Sequence, residues 1–94
     1  MDNNYNVSYK TYGVKENTTI QRDLFSCIIF INVGESPATV NNCILQPGTS
    51  IEFNEDPNVI INTDFNVIFT PTDPSESQLV NVITSFYKQT GKAN

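Results

Sequence analysis

The stretch Ala38–Phe53, reading ATVNNCILQPGTSIEF, sets two tight reversals so close together that little besides antiparallel β-structure can contain it. Asn41 and Asn42 can both take the positive φ that the central positions of a type I′ turn demand. Asparagine does so less readily than glycine, because it still carries a Cβ. With the reversal there, Val40 faces Cys43 and Ala38 faces Leu45. Ala38, Val40, Cys43 and Leu45 then share one face, while Thr39 and Ile44 point the other way. A slip of one residue would invert that arrangement. In Gln46-Pro47-Gly48-Thr49, Pro47 presets φ at about −65° and Gly48 supplies positive φ, as a type II turn requires. Ser50–Asn54 follows, with Ile51 and Phe53 inward and Ser50 and Glu52 outward. The expectation is a β-meander over residues 38–54.

The flanking sequence has the same character. Its aliphatics are mostly Ile and Val, whose branching at Cβ suits a pleated surface. Asn and Thr are abundant and favour turns and caps. Between residues 18 and 34, Phe25, Cys27, Ile29, Ile31 and Val33 fall on one face, and Leu24, Ile28 and Phe30 on the other. Apolar residues on both faces predict a strand covered on both sides, either central in a sandwich or half covered by another chain. Val59–Ile61 and Phe65–Thr70 read as strands, the second with Phe65, Val67 and Phe69 on a shared face. Residues 71–77, PTDPSES, read as a loop. In 78–88, Leu79, Val82, Ile83 and Phe86 match a helical stripe, whereas Val80, Val82, Thr84 and Phe86 match a strand; the β-branched density favours the strand. Residues 1–14 alternate loosely, with Tyr5, Val7 and Tyr9 on one side. They form either a first strand or an ordered arm laid on another subunit.

The chain therefore reads as all-β: a small antiparallel β-sandwich or jelly-roll-like barrel of about seven short strands with an extended N-terminal arm. Residues 1–20 are the strand or docking arm, 21–90 the sandwich, and 91–94 a frayed tail. Ninety-four residues make a single domain, burying roughly 60–65% of the surface its unfolded chain exposes. The longest apolar run, Cys27–Ile31, falls far short of the roughly 20 residues that cross a bilayer. The polar start, MDNNYNVSYK, does not read as a targeting segment.

The formal charge is −5, and its layout is uneven. Lys10, Lys15 and Arg22 lie early, Lys88 and Lys92 late, and no base lies between Arg22 and Lys88. That interval holds Asp23, Glu35, Glu52, Glu55, Asp56, Asp64, Asp73 and Glu76. Without clustered Lys and Arg, neither nucleic acid nor an anionic membrane is an expected partner. Cys27 and Cys43 are too few for a disulfide scaffold and read as two buried thiols, bridged to each other only if the fold sets their Cα atoms within about 7 Å.

The residues for catalysis are missing. There is no histidine, so the commonest general base, Ser-His triads and most zinc sites are excluded. The four glycines are scattered and form no phosphate loop. Glu52, Glu55 and Asp56 are the nearest thing to paired glycosidase carboxylates, but they sit on an outward strand position and a turn, where solvation explains them. Asn54, Glu55, Asp56 and Asn58 offer oxygen ligands for calcium, with an exposed turn as the simpler explanation. No enzymatic activity, cofactor or metal is expected. Tyr5, Tyr9 and Tyr12 cluster in a polar segment beside bases, and tyrosine suits interfaces because it joins area to a polar tip. Partner binding is therefore assigned to Tyr5, Val7, Tyr9, Lys10, Tyr12, Lys15 and Arg22.

Residues 29–69, with NVGESPATVNNCILQPGTSIEF followed by VIINTDFNVIF, resemble small β-rich virion structural proteins of tailed phages. In those proteins a strand ends in Asn-x-Gly, a short strand carries a Thr-Val-Asn hairpin, and a Leu-x-Pro-Gly-Ser/Thr turn launches the next strand. This chain departs from the pattern at Asn42, where glycine is the easier residue. The Asn-, Ile- and Thr-rich style is similar to that of phages infecting Bacteroidetes, including the crAss-like kind. The resemblance implies an auxiliary (decoration) capsid protein bridging major capsid subunits, placed on the capsid surface after assembly in a host cytoplasm. The alternative is a head-fibre or tail adaptor or adhesin module that binds another protein or a host glycan, with loops 54–58 and 71–78 as its recognition elements. The expected partners are the major capsid protein or other virion subunits, and a second copy of the chain is a further candidate.

Overall fold

The computed structural model describes residues 5–56 and 59–89, with residues 5–8 and 87–89 as backbone alone. These residues form eight strands and no helix: β1 Tyr5–Val14, β2 Thr18–Ile20, β3 Cys27–Asn32, β4 Ala38–Val40, β5 Cys43–Leu45, β6 Ser50–Asn54, β7 Phe65–Phe69 and β8 Val80–Gln89. Each early strand pairs antiparallel with its counterpart counted from the other end: β4 with β5, β3 with β6, β2 with β7 and β1 with β8. The chain is thus one long hairpin bent at Asn41–Asn42. It is then rolled up, so that β3 also meets β8 and β4 also meets β7. The result is two sheets, ordered β1-β8-β3-β6 and β2-β7-β4-β5. Of the two architectures expected, this strand order is the jelly roll.

The turn at the tip is built as its sequence dictates. Asn41 and Asn42 sit at φ 47° and 69°, and Val40–Cys43 and Ala38–Leu45 are the register pairs. Asn41 is also a tie: its amide donates to the Asp64 carbonyl (3.1 Å), and its Oδ1 accepts from the Asn66 N–H (2.8 Å). Gly48 adopts φ 80°, as the second turn requires.

That second turn does not make a meander, however. β6 leaves β5 and pairs with β3 in the other sheet, from Ile31–Ser50 to Cys27–Asn54. The cause is Asn32 at the end of β3. Its N–H donates to the Thr49 carbonyl (3.0 Å), and its carbonyl accepts from the Gly48 N–H (2.8 Å). The Pro-Gly turn is therefore one of the points where the chain crosses between sheets.

The core lies between the sheets. Ile28, Phe30, Val80, Val82 and Val14 face Ile20, Ala38, Val40, Leu45, Phe65, Val67 and Phe69. Phe65 is the aromatic hub, with ring centroids 5.0 Å from Phe53, 5.4 Å from Phe30 and 6.4 Å from Phe25. Such tilted pairs add to area burial.

Several expectations are corrected. There are eight strands where about seven were expected: Thr18–Ile20 is a strand, and Val59–Ile61 is not. The latter segment is held by single bonds, Val59 N–H to the Asp56 carbonyl and Ile61 N–H to the Phe25 carbonyl. Phe25 enters the core, whereas Leu24 is exposed, because a bend at Ser26 interrupts the alternation. Cys27 is buried on the outer side of its sheet and Cys43 is exposed; they lie in different sheets and both are free thiols. Residues 78–88, read as helix or strand, contain most of β8. The tail at 91–94 lies outside the described residues.

Candidate functional site

Alternation along β1 decides where each residue assigned to binding points. Opposed residues share a face. Tyr12 lies opposite Val82 and Lys10 opposite Thr84, which puts Tyr12 and Lys10 on the side facing the other sheet. Tyr9 lies opposite Ser85, on the outer face. The backbones of Tyr5 and Val7 belong to the same strand, and their side chains lie outside the described residues. Beyond Tyr9–Ser85, β1 and β8 continue to Tyr5–Gln89, past the end of β3. This two-stranded extension reaches about 13 Å beyond the end of β3.

The three assigned bases are scattered. Arg22 is exposed but committed to bonds within the chain. Its N–H and Nε–H both donate to Asp64 Oδ1 (2.7 and 3.1 Å), and its Nη1 donates to Asn62 Oδ1 (3.0 Å). These bonds hold the Asp64 carboxyl below its ordinary pKa, the side-chain bond first. Lys10 lies 3.9 Å from Asp23, a loose and exposed pair that adds little stability. Lys15 is exposed, just past Val14 and therefore at the Asn32–Val80 end of the sandwich. Arg22 belongs to the opposite end, where Ile20 meets Phe65. The five assigned residues whose side chains are described, Tyr9, Lys10, Tyr12, Lys15 and Arg22, thus do not converge on one patch. Burial, and then the charge of Asp23, raise the Tyr12 phenol above its ordinary pKa.

The outer face of the first sheet carries a feature that the β1 assignment missed. Ile29 and Ile31 on β3 and Ile83 on β8 share this face and are half-buried. The edge strands beside them carry polar or small residues: Thr11 and Gly13 on β1, Ser50 and Glu52 on β6. Tyr9 stands on the same face, 66% exposed. An apolar centre with a polar rim is the anatomy of a protein interface. The signal was present in the apolar residues on both faces of β3. Next to the stripe, the buried Cys27 thiol is raised above its usual pKa, chiefly by burial, and donates to Glu52 Oε2 at 3.7 Å.

The cavities are modest. A shallow depression of about 260 Å³ lies beside β2, lined by Asn17, Thr18, Thr19, Asn66, Val67 and Ile68. A notch of about 50 Å³ beside Lys10, Phe25 and Phe86 contains one carboxylate, Asp23. Among the described residues, Glu52, Glu55 and Asp56 are all exposed. Asn58, the fourth residue considered for calcium, lies outside the described residues.

The two loops considered for glycan recognition lie at opposite ends. Asn54 pairs at the Cys27 end of β3, whereas the 71–78 loop leads into Val80 at the Asn32 end. About 17 Å of strand separates them. The 71–78 loop is braced by its own side chains. Glu76 accepts from the Thr72 N–H and hydroxyl (both 2.9 Å), and Asp73 accepts from the Ser75 N–H and hydroxyl. The Ser77 N–H donates to Glu35 Oε1, and the Glu35 N–H donates back to Ser77 Oγ.

Comparison with protein-family models, with curated proteins and with solved structures found no match for this chain.

Proposed function

We propose that this chain is a structural component of a virion, an auxiliary protein that binds the capsid surface and bridges major capsid subunits. The observation that carries the reading is the Ile29–Ile31–Ile83 stripe, which lies on the outside of a sheet whose inner face is already packed. A sandwich with a solid core and an apolar outer face is suited to adhesion between proteins. The resemblance of residues 29–69 to phage virion proteins supplies the kind of partner. Such binding needs no turnover; it sums modest contact energies over many copies.

The test is occupancy on particles. Ile83→Glu should lower the copy number per particle, measured by quantitative mass spectrometry, while the purified variant keeps its β-sheet circular dichroism. Undiminished occupancy with a folded variant would remove this face from the account.

The second reading, a fibre or adhesin module binding a host glycan, is favoured by the self-braced 72–77 loop, a rigid polar surface. Because Asn54 and the 71–78 loop lie at opposite ends, a mono- or disaccharide can reach only one of them. A broad glycan array without signal would discount it.

A further inference from the structure

We propose that β1 pairs edge to edge with β1 of a second copy of this chain, antiparallel about a two-fold axis beside Thr11, fusing two four-stranded sheets into one of eight. This is independent of the virion reading and would hold equally for an adhesin.

The four sheet edges are β1, β6, β2 and β5. Bare edges template pairing with other chains, and proteins that stay apart blunt them by shortness, charge, proline or bulges. β2 and β5 have three residues each. β6 has five, with Glu52 at its middle and Glu55 and Asp56 just beyond. β1 has ten residues, no proline, and an unbroken one-to-one register with β8, hence no bulge. Its one charged side chain, Lys10, sits near Asp23. It is the undefended edge.

The occupant follows from the strand's complementarity to itself. Across a two-fold axis normal to the sheet, opposed residues must share a face, so the axis lies beside one residue of each strand. An axis at Lys10 sets two ammonium groups directly opposite, which is unfavourable. An axis at Tyr9 sets Tyr12 against Asn6 and Lys10 against Ser8. An axis at Thr11 sets Thr11 on Thr11, and twice over sets Lys10 on Tyr12 and Tyr9 on Gly13. Threonine pairs and a cation beside an aromatic are favourable. Tyr9 and Tyr12, 66% and 41% exposed, are both covered in this register. The pairing spans Ser8–Val14 of each copy. It buries less than the roughly 1,600 Å² of a standard interface, so the dimer is reversible and concentration-dependent.

Sedimentation of the purified chain from micromolar to millimolar concentration should show a monomer–dimer equilibrium. Thr11→Asp and Thr11→Lys each place like charges on the axis and should each weaken dimerisation by up to about fivefold. An equimolar mixture should dimerise more tightly than either variant alone. Thr11 is exposed, and an unchanged thermal midpoint would show that both variants fold. A protein still monomeric at millimolar concentration overturns the proposal. So do variants that dimerise like the parent, a mixture no tighter than its components, or oligomers that keep growing with concentration.

Discussion

Replacing Asn32 by alanine removes one side chain that secures two of the crossings between the sheets, β3 to β4 and β5 to β6. Asn32 is fully buried. Its amide donates to the Ser36 carbonyl (2.9 Å) and to the Leu45 carbonyl (3.0 Å), and its Oδ1 accepts from the Gly34 N–H (3.1 Å). Gly34 keeps a second partner in the Leu79 carbonyl, so its loss is small. The two donated bonds contribute about 0.5–1.5 kcal/mol each, and a buried carbonyl left unsatisfied costs about 1–3 kcal/mol. The expected destabilisation is therefore about 3 kcal/mol, or a fall in Tm of about 12–24 °C for a domain of this size. Urea unfolding should show a lower midpoint with an unchanged slope. Asn32→Asp keeps the shape but loses the donors, and should cost at least as much at neutral pH. Ser26→Ala is the comparator. Ser26 is equally buried, but its hydroxyl has no partner among the described residues, so its removal should be neutral or slightly stabilising. The reasoning fails if Asn32→Ala costs less than about 1 kcal/mol or behaves like Ser26→Ala.

The two tip asparagines should respond oppositely to glycine. Asn42→Gly relieves positive φ at an exposed position and should stabilise by a few tenths to about 1 kcal/mol; Asn41→Gly loses the ties to Asp64 and Asn66 and should destabilise by about 1–2 kcal/mol, both read by thermal unfolding. The thiols should differ in reactivity: Cys43 should react with an alkylating agent at neutral pH, and Cys27, buried with its pKa raised, only after unfolding; one mole of label per mole of folded protein is the expected mass-spectrometric result. Asp64 and Asp73 have folded pKa values below the ordinary one, so their contribution is complete above about pH 4 and is lost as pH falls through the folded values. Asp64→Asn should accordingly flatten the acid limb of a Tm–pH profile, and an unchanged limb would count against the Arg22 bonds.

The strands written by short-range chemistry were legible. The Asn-Asn turn fixed the β4–β5 register, and period-two alternation placed Phe65, Val67 and Phe69 inward. What escaped was decided at a distance. Thr18–Ile20 has little strand pattern of its own and is a strand because β7 pairs with it. Nothing local distinguishes a Pro-Gly turn within one sheet from one that crosses to another; the backbone bonds of residue 32 to Gly48 and Thr49, with the Asn32 amide on the Leu45 carbonyl, hold it at the crossing. For the same reason the β1 residues were grouped by their closeness in sequence, whereas strand alternation divides Tyr9 from Lys10 and Tyr12. The apolar stripe could be suspected from β3 alone, but Ile83 joins it only through the β3–β8 register.

The nested pairing has a consequence for synthesis. β8, the last of the eight strands to emerge from a ribosome, is not a margin but an inner strand, flanked by β1 and β3. The hairpin at Asn41–Asn42 can close early on the nascent chain, and β3 can capture β6 soon after. The earliest strand, β1, has no native mate until residues 80–89 are free, so it waits longest with its tyrosines in water. An intermediate halted before that point would present β1 and the vacant flank of β3 together, and that is the species a chaperone would be expected to hold.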